Sequence, residues 1–145
     1  MIPVKTHALA SYGKIANAET DRLQQIIMLY DGAIRFLRLA ASDIENKELA
    51  AKAEHTSRAL DIIAYLQAIL DFERGGEVAR TLDGFYGQIS ALVLRASATL
   101  DAALMSRAAD LLVPVRDAWA EARASQLVAS PVLSPHADQP VLARP

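Results

Sequence analysis

Residues 26 to 37 read IIMLYDGAIRFL, and the dipeptide Asp31-Gly32 at their centre decides the fold. Asp-Gly between apolar runs is a strong hairpin signal, and a hairpin needs flanks that alternate apolar and polar with a period of two. The apolar residues fall instead at Leu23, Ile26, Ile27, Tyr30, Ile34, Leu37, Ala41 and Ile44, mostly in steps of three and four. That spacing is helical. Gln24, Asp31, Arg35, Arg38 and Ser42 gather along roughly one other side, as on an amphipathic helix. Gly32 therefore lies inside a helix, where glycine costs roughly 1 kcal/mol relative to alanine. A missing Cβ beside Ala33 most naturally lets a neighbouring helix come close; a kink or a functional role are the alternatives.

Working outward, 145 residues make about one domain, and 52% hydrophobic content is ample for a single core. Few aromatic residues beside many Ala and Leu point to an all-helical protein. The formal net charge is −2 and no Lys/Arg cluster stands out, which argues against nucleic acid and anionic membrane as main partners. No apolar run approaches the roughly 18 residues a membrane span requires. The opening MIPVKTHALASYGK lacks a long apolar signal region and there is no cysteine, so a cytoplasmic protein without disulfides is expected.

Residues 1 to 20 show no sustained periodicity and read as a separate N-terminal segment. Asp21 offers an N-cap with Gln24 three residues on, so the first helix is expected from about Arg22 to Glu45. After Asn46, a stripe of Leu49, Ala53, Thr56, Leu60, Ile63, Leu66 and Leu70 predicts a second helix ending near Arg74, closed by a positive-φ residue from Gly75-Gly76. Val78, Leu82, Phe85, Ile89, Leu92 and Ala96 mark the seam of a third helix at bundle spacing. Asp101 caps a fourth, with seam Leu104, Ala108, Leu111, Val115 and Ala118 and Trp119 beside it. Pro114 falls inside this last pattern and should bend it, or else marks a misplaced boundary. The chain then turns proline-rich. The expected architecture is an antiparallel four-helix bundle over 21–124, an N-terminal cap segment over 1–20, and a disordered tail over 125–145.

Catalytic chemistry finds no foothold. None of His7, His55 and His136 has an acidic residue three positions before it, so the paired Glu-x-x-His ligands of metal-binding bundles are missing and no metal or cofactor is expected. His55, among Lys52, Glu54 and Arg58, reads as a surface histidine. There is no cysteine nucleophile and no Gly-x-Ser-x-Gly elbow, and FERGGEVA lacks the lysine of a phosphate loop. An enzyme is not expected.

Surplus hydrophobicity is the positive signal. Beyond one seam per helix stand Met28 and Leu29 with Phe36 and Leu39, Ile62 with Tyr65 and Ile69, Tyr86 with Val93 and Leu100, and Leu112 with Trp119. Such residues widen a core, bury a dimer contact, or line a groove that accepts an amphipathic partner helix.

Three stretches carry a family resemblance: IIMLYDGAIRFL at 26–37, LDFERGGEVARTL at 70–82 and ADLLVPVRDAW at 109–119. In this order, with matching helix lengths over roughly residues 10 to 124, the chain resembles the FliS family of flagellar export chaperones. Asp21 stands where that family places a Ser or Asp cap, and Tyr12 matches a tyrosine at a fixed distance before it. The resemblance implies a cytosolic, non-catalytic bundle that binds the disordered C-terminal segment of flagellin, prevents premature polymerisation and helps deliver it to a component of the type III export gate. It places client contacts at Ile62, Tyr65, Leu66 and Ile69 on the second helix and at Tyr86, Val93 and Leu100 on the third, with Tyr12 and Ile15 as a displaceable cap. Tyr30, Gly32, Phe72, Gly75, Gly76 and Trp119 are scaffold in this reading. Arg22 in place of a frequent proline, Gln25 in place of a usual leucine, and Pro114 depart from the family pattern. The competing expectation is a structural or regulatory bundle that self-associates as a homodimer through the same apolar faces.

Overall fold

The computed structural model describes the backbone of residues 4–125 and the side chains of residues 21–125. The expected cap side chains Tyr12 and Ile15, and the expected disorder beyond Ser125, lie outside the described side chains and residues. Four helices follow one another: α1 (Val4–Glu45), α2 (Leu49–Ala68), α3 (Phe72–Thr99) and α4 (Ala102–Ser125). Connections of two or three residues force each helix to return beside its predecessor. Side-chain pairs show the antiparallel register directly. As α1 numbers rise from Asp31 to Arg38, their α4 partners fall from Arg116 to Asp110. On the other pair, Lys52 reaches the Ser97 carbonyl at 3.2 Å and Gln67 reaches Asp83 at 2.8 Å. The molecule is an antiparallel four-helix bundle in which α1 packs most extensively, against α2 and α4.

Two helix boundaries differ from expectation. The first helix begins at Val4, and Asp21 is an exposed residue within it and caps nothing. The stretch before Asp21 has weak periodicity but contains Ala8, Ala10, Ala16 and Ala18, so intrinsic propensity continues the helix where amphipathic patterning does not announce it. The second helix stops at Ala68, well before Arg74. Asp71, in extended conformation, accepts the Arg74 N–H at 3.0 Å and starts α3 one turn before the glycine pair. Gly76 does adopt positive φ (51°), but as a break inside α3 and not as the end of α2. The remaining junctions use Lys47 (φ 58°) after α1 and Leu100 (φ 54°) after α3, and Asp101 caps α4 by accepting the Leu104 N–H at 2.9 Å. α4 continues through Pro114, which lies on its exposed side.

The core collects Leu23, Ile26, Ile27, Tyr30, Ala33 and Leu37 of α1 and Thr56, Ala59, Ile63 and Leu66 of α2. α3 contributes Ala79, Tyr86, Ile89, Val93 and Ala96, and α4 Met105, Ala108, Ala109, Leu112 and Trp119. On α3 and α4 the expected seam holds in part: Ile89, Ala96 and Ala108 are buried as expected, while elsewhere the buried position is the next residue, with Val78 exposed and Ala79 buried, and Leu111 exposed and Leu112 buried. Tyr30 and Tyr86 explain the displacement on α3. Their hydroxyls meet at 2.6 Å across the bundle, with ring centroids 6.3 Å apart. That bond satisfies two buried polar groups only when Tyr86 points inward. Burial lifts both phenols above their ordinary pKa, which the bonds from Tyr86 and Trp119 to Tyr30 offset only in part for Tyr30.

Candidate functional site: an apolar groove between α1 and α2

Most of the surplus apolar residues of α1 and α2, Leu39 and Ile69 excepted, converge on a groove of about 540 Å³, lined by Met28, Leu29, Phe36, Arg58, Asp61, Ile62 and Tyr65. Each helix contributes one strip. Met28, Leu29 and Phe36 lie two turns apart along α1, and Arg58, Ile62 and Tyr65 follow at steps of four and three on α2. The antiparallel register sets Phe36 opposite Arg58 at one end and Met28 and Leu29 near Tyr65 at the other. The length of the groove is then about 12 Å, or two helical turns of an occupant.

Gly32 makes the groove possible. It lies one turn from both Met28 and Phe36, and a methyl group built on it would stand 3.3 Å from Ile62 Cδ1. The glycine is therefore a packing notch, the first of the three readings its sequence context allowed. Ile62 sinks toward α1 at the notch, while Met28 remains 60% exposed on the rim. An unbranched, polarizable methionine at such a rim adapts to varied apolar shapes.

Charge is confined to the edge. Arg58 is held by Glu54 through two hydrogen bonds of 2.9 and 3.1 Å, and its guanidinium carbon lies 5.9 Å from the centre of the Phe36 ring. Arg35 lies at 5.8 Å from the same ring. With Asp61 beside Arg58, the rim carries both signs and the floor none. Such a surface recognises apolar side chains by burial and leaves backbone and polar groups of an occupant facing water.

The residues expected at a client site separate into groups. Ile62 and Tyr65 line the groove, and half-buried Ile69 continues their stripe one turn further along the same helix. Leu66, Tyr86 and Val93 are buried in the core. Leu100 is exposed at the α3–α4 turn, and Tyr12 and Ile15 have no described side chains. Met28, Leu29 and Phe36 belong to the surplus apolar residues of the sequence but lie outside the expected client contacts; Arg58 and Asp61 carry no sequence signal beyond lying one turn from Ile62 or beside it. His55, expected as a plain surface residue, bonds Asp43 through Nδ1 at 2.6 Å and stacks on Phe36.

Among the described residues no group of His, Asp and Glu is arranged to hold a metal, and no helix is long and apolar enough to cross a membrane. The groove has an apolar floor, and the polar groups that line it are those of Arg58, Asp61 and Tyr65.

Comparison with known proteins gives this groove its context. A family model described as "Flagellar protein FliS" matches residues 5–126, which takes in all of the bundle from the second residue of α1. The chain is 37% identical over 97 residues to the flagellar secretion chaperone FliS of Salmonella typhimurium, covering 66% of this chain and 72% of that one. It is 31% identical over 106 residues to the flagellar secretion chaperone FliSB of Pseudomonas aeruginosa, covering 73% and 82% respectively. The FliS of Bacillus subtilis, also a flagellar secretion chaperone, is 30% identical over 100 residues, or 69% and 74% of the two chains. A family match over residues 5–126 and relatives of 30–37% identity over about two thirds or more of both chains show that the chain belongs to the FliS family of flagellar proteins.

Proposed function

We propose that this protein is a non-catalytic, cytoplasmic flagellar export chaperone that binds the disordered C-terminal segment of flagellin, prevents its premature polymerisation and helps deliver it to the type III export gate. The observation that carries the reading is the α1–α2 groove, an apolar surface left open beside the buried core of the bundle. Relatives named flagellar secretion chaperones supply the class of partner. A disordered client must bury enough apolar surface to offset the entropy of its own ordering. A groove two turns long anchors one amphipathic segment of it.

In this reading Ile62, Tyr65 and Ile69 contact the client together with Met28, Leu29 and Phe36. Leu66, Tyr86 and Val93 support the bundle from behind, and Leu100 offers a separate contact at the α3–α4 turn. Tyr12 and Ile15 act as a displaceable cap, so deleting residues 1 to 18 tightens client binding by removing a competitor.

Calorimetric titration with the disordered C-terminal segment of flagellin from the same organism tests the proposal. One-to-one binding with a large negative heat-capacity change, weakened at least about tenfold by Ile62→Asp, is the expected result. No binding by the full chain or by the truncated one, together with a sedimentation mass of two chains, would overturn it in favour of a self-associating bundle.

A further inference from the structure

We infer that His55 is a positioning residue: anchored on Asp43, it holds the Phe36 ring as the end wall of the α1–α2 groove, so that the groove's grip on an apolar segment depends on a side chain that does not line it. The inference rests on the groove being the client site.

Asp43 lies seven residues after Phe36 on α1, and His55 lies three before Arg58 and seven before Ile62 on α2. These spacings put both pairs on the facing sides of the two helices. His55 Nδ1 donates to Asp43 Oδ2 at 2.6 Å, across the turn that joins the helices. The imidazole then lies nearly parallel to the Phe36 ring, 24° between planes and 6.0 Å between centres. Phe36 lines the groove and His55 does not.

Other groups also touch Phe36, and their exposure separates their roles. The Arg58 guanidinium, and the Glu54 that holds it, are each more than half exposed and screened by water. The side chains of His55 and Asp43 are 26% and 14% exposed. A short hydrogen bond to a carboxylate in that setting fixes the imidazole far better than an exposed arginine is fixed. A fixed aromatic plane in turn restricts the ring stacked on it. With the imidazole removed, Phe36 keeps its contacts to the core but gains rotamer freedom at the mouth of the groove, and an occupant must then freeze a wall that is now frozen in advance.

A double-mutant cycle tests this with the full chain and the flagellin C-terminal segment as probe. His55→Ala should weaken binding about three- to tenfold with the helical signal unchanged. In a Phe36→Ala background, His55→Ala should cost less than about twofold more, because its effect passes through the ring. Losses that multiply fully would overturn the inference. Fluorine NMR of the chain carrying 4-fluorophenylalanine reads the ring itself: the Phe36 resonance should shift and broaden in His55→Ala and in Asp43→Ala. Asp43→Asn, which keeps an oxygen acceptor for Nδ1, should return it toward its original position and also serves if the alanine variants fail to fold. An unchanged Phe36 resonance in a folded His55→Ala or Asp43→Ala protein, or one that Asp43→Asn displaces as far as Asp43→Ala does, overturns the inference. If the original protein does not bind the flagellin segment, the client reading fails by itself, and the fluorine signal still decides whether His55 positions Phe36.

Discussion

Helices α2 and α3 carry the same kind of surface, yet the second stripe of α2 lines the groove and that of α3 does not. Each has two apolar stripes one residue apart, about 100° around the helix. On α2 the stripe through Thr56, Ile63, Leu66 and Leu70 is buried, and the adjacent one through Ile62, Tyr65 and Ile69 stays half open beside α1. On α3 the stripe through Ala79, Tyr86 and Val93 is buried, and the one through Val78, Phe85 and Leu92 lies at its edge. The difference comes from the neighbours. α2 faces Gly32, whose missing side chain draws Ile62 inward and leaves an apolar trough above it, whereas α3 faces Tyr30, whose hydroxyl bonds the Tyr86 hydroxyl at 2.6 Å only if Tyr86 points into the core. An apolar stripe thus becomes core or groove according to what the opposite helix presents.

The largest expected effect separates the two helices by one substitution each. Val93→Asp places a carboxylate at a position with no exposure and no partner, a cost of several kcal/mol against a total stability of about 5–15 kcal/mol. The helical signal should be lost or its melting temperature should collapse. Ile62→Asp can turn its carboxylate toward the open groove, so the thermal transition should move by only a few degrees, about what 1 kcal/mol produces, while flagellin-segment binding disappears. Equal collapse of both variants would mean that the α2 stripe is core like that of α3, and the contrast would be broken.

The tyrosine pair gives the next largest effect. Tyr86→Phe leaves the Tyr30 hydroxyl short of a buried partner and should cost about 1–2 kcal/mol, read as a lower urea midpoint. Alkaline pH sharpens the same point. Burial holds both folded phenols above their ordinary pKa of about 10, so above that pH the unfolded chain binds fewer protons than the folded one and stability falls as pH rises. The contribution is complete below about pH 10. Above it, the slope should reach about 1.4 kcal/mol per pH unit for each phenol, and replacing both tyrosines by phenylalanine should flatten it. Ile62→Asp should leave that slope untouched, since the groove lies on another face.

How far the fold could be read from residues alone follows from the same contrast. The helical reading of residues 26 to 37 and the α2 stripe from Thr56 to Leu70 needed only local spacing, although Leu49 and Ala53, expected in that stripe, are exposed. The phase of α3 needed more: Val78-Ala79, Phe85-Tyr86 and Leu92-Val93 are adjacent apolar pairs, so periodicity cannot say which member points inward, and the deciding partner, Tyr30, lies 56 residues from Tyr86. That single residue of phase moved Tyr86 and Val93 from an expected surface into the core. Asp21 with Gln24 makes a capping pattern that occurs inside a helix, because the alanines before it have high enough propensity to continue. The His55–Asp43 bond depends on the geometry of the α1–α2 turn, where Lys47 with positive φ returns the chain. Spacing along one helix carries no trace of that.

Gly32→Ala is the smallest change and the most direct probe of why the α2 stripe stays open. Alanine gains up to about 1 kcal/mol of helix stability over glycine, but its methyl would meet Ile62 Cδ1 at 3.3 Å. The atom it meets is the far end of a half-buried, flexible side chain, so a few tenths of an ångström of movement relieves the contact by pushing Ile62 up into the groove. The urea midpoint should stay level or rise slightly, while affinity for the flagellin segment falls about two- to fivefold because the trough has become shallower. A drop in stability with affinity intact would show that Ile62 cannot yield and that the notch serves only the close approach of α1 and α2. The two measurements moving in opposite directions is the signature of a glycine that gives up helix stability to keep a groove deep.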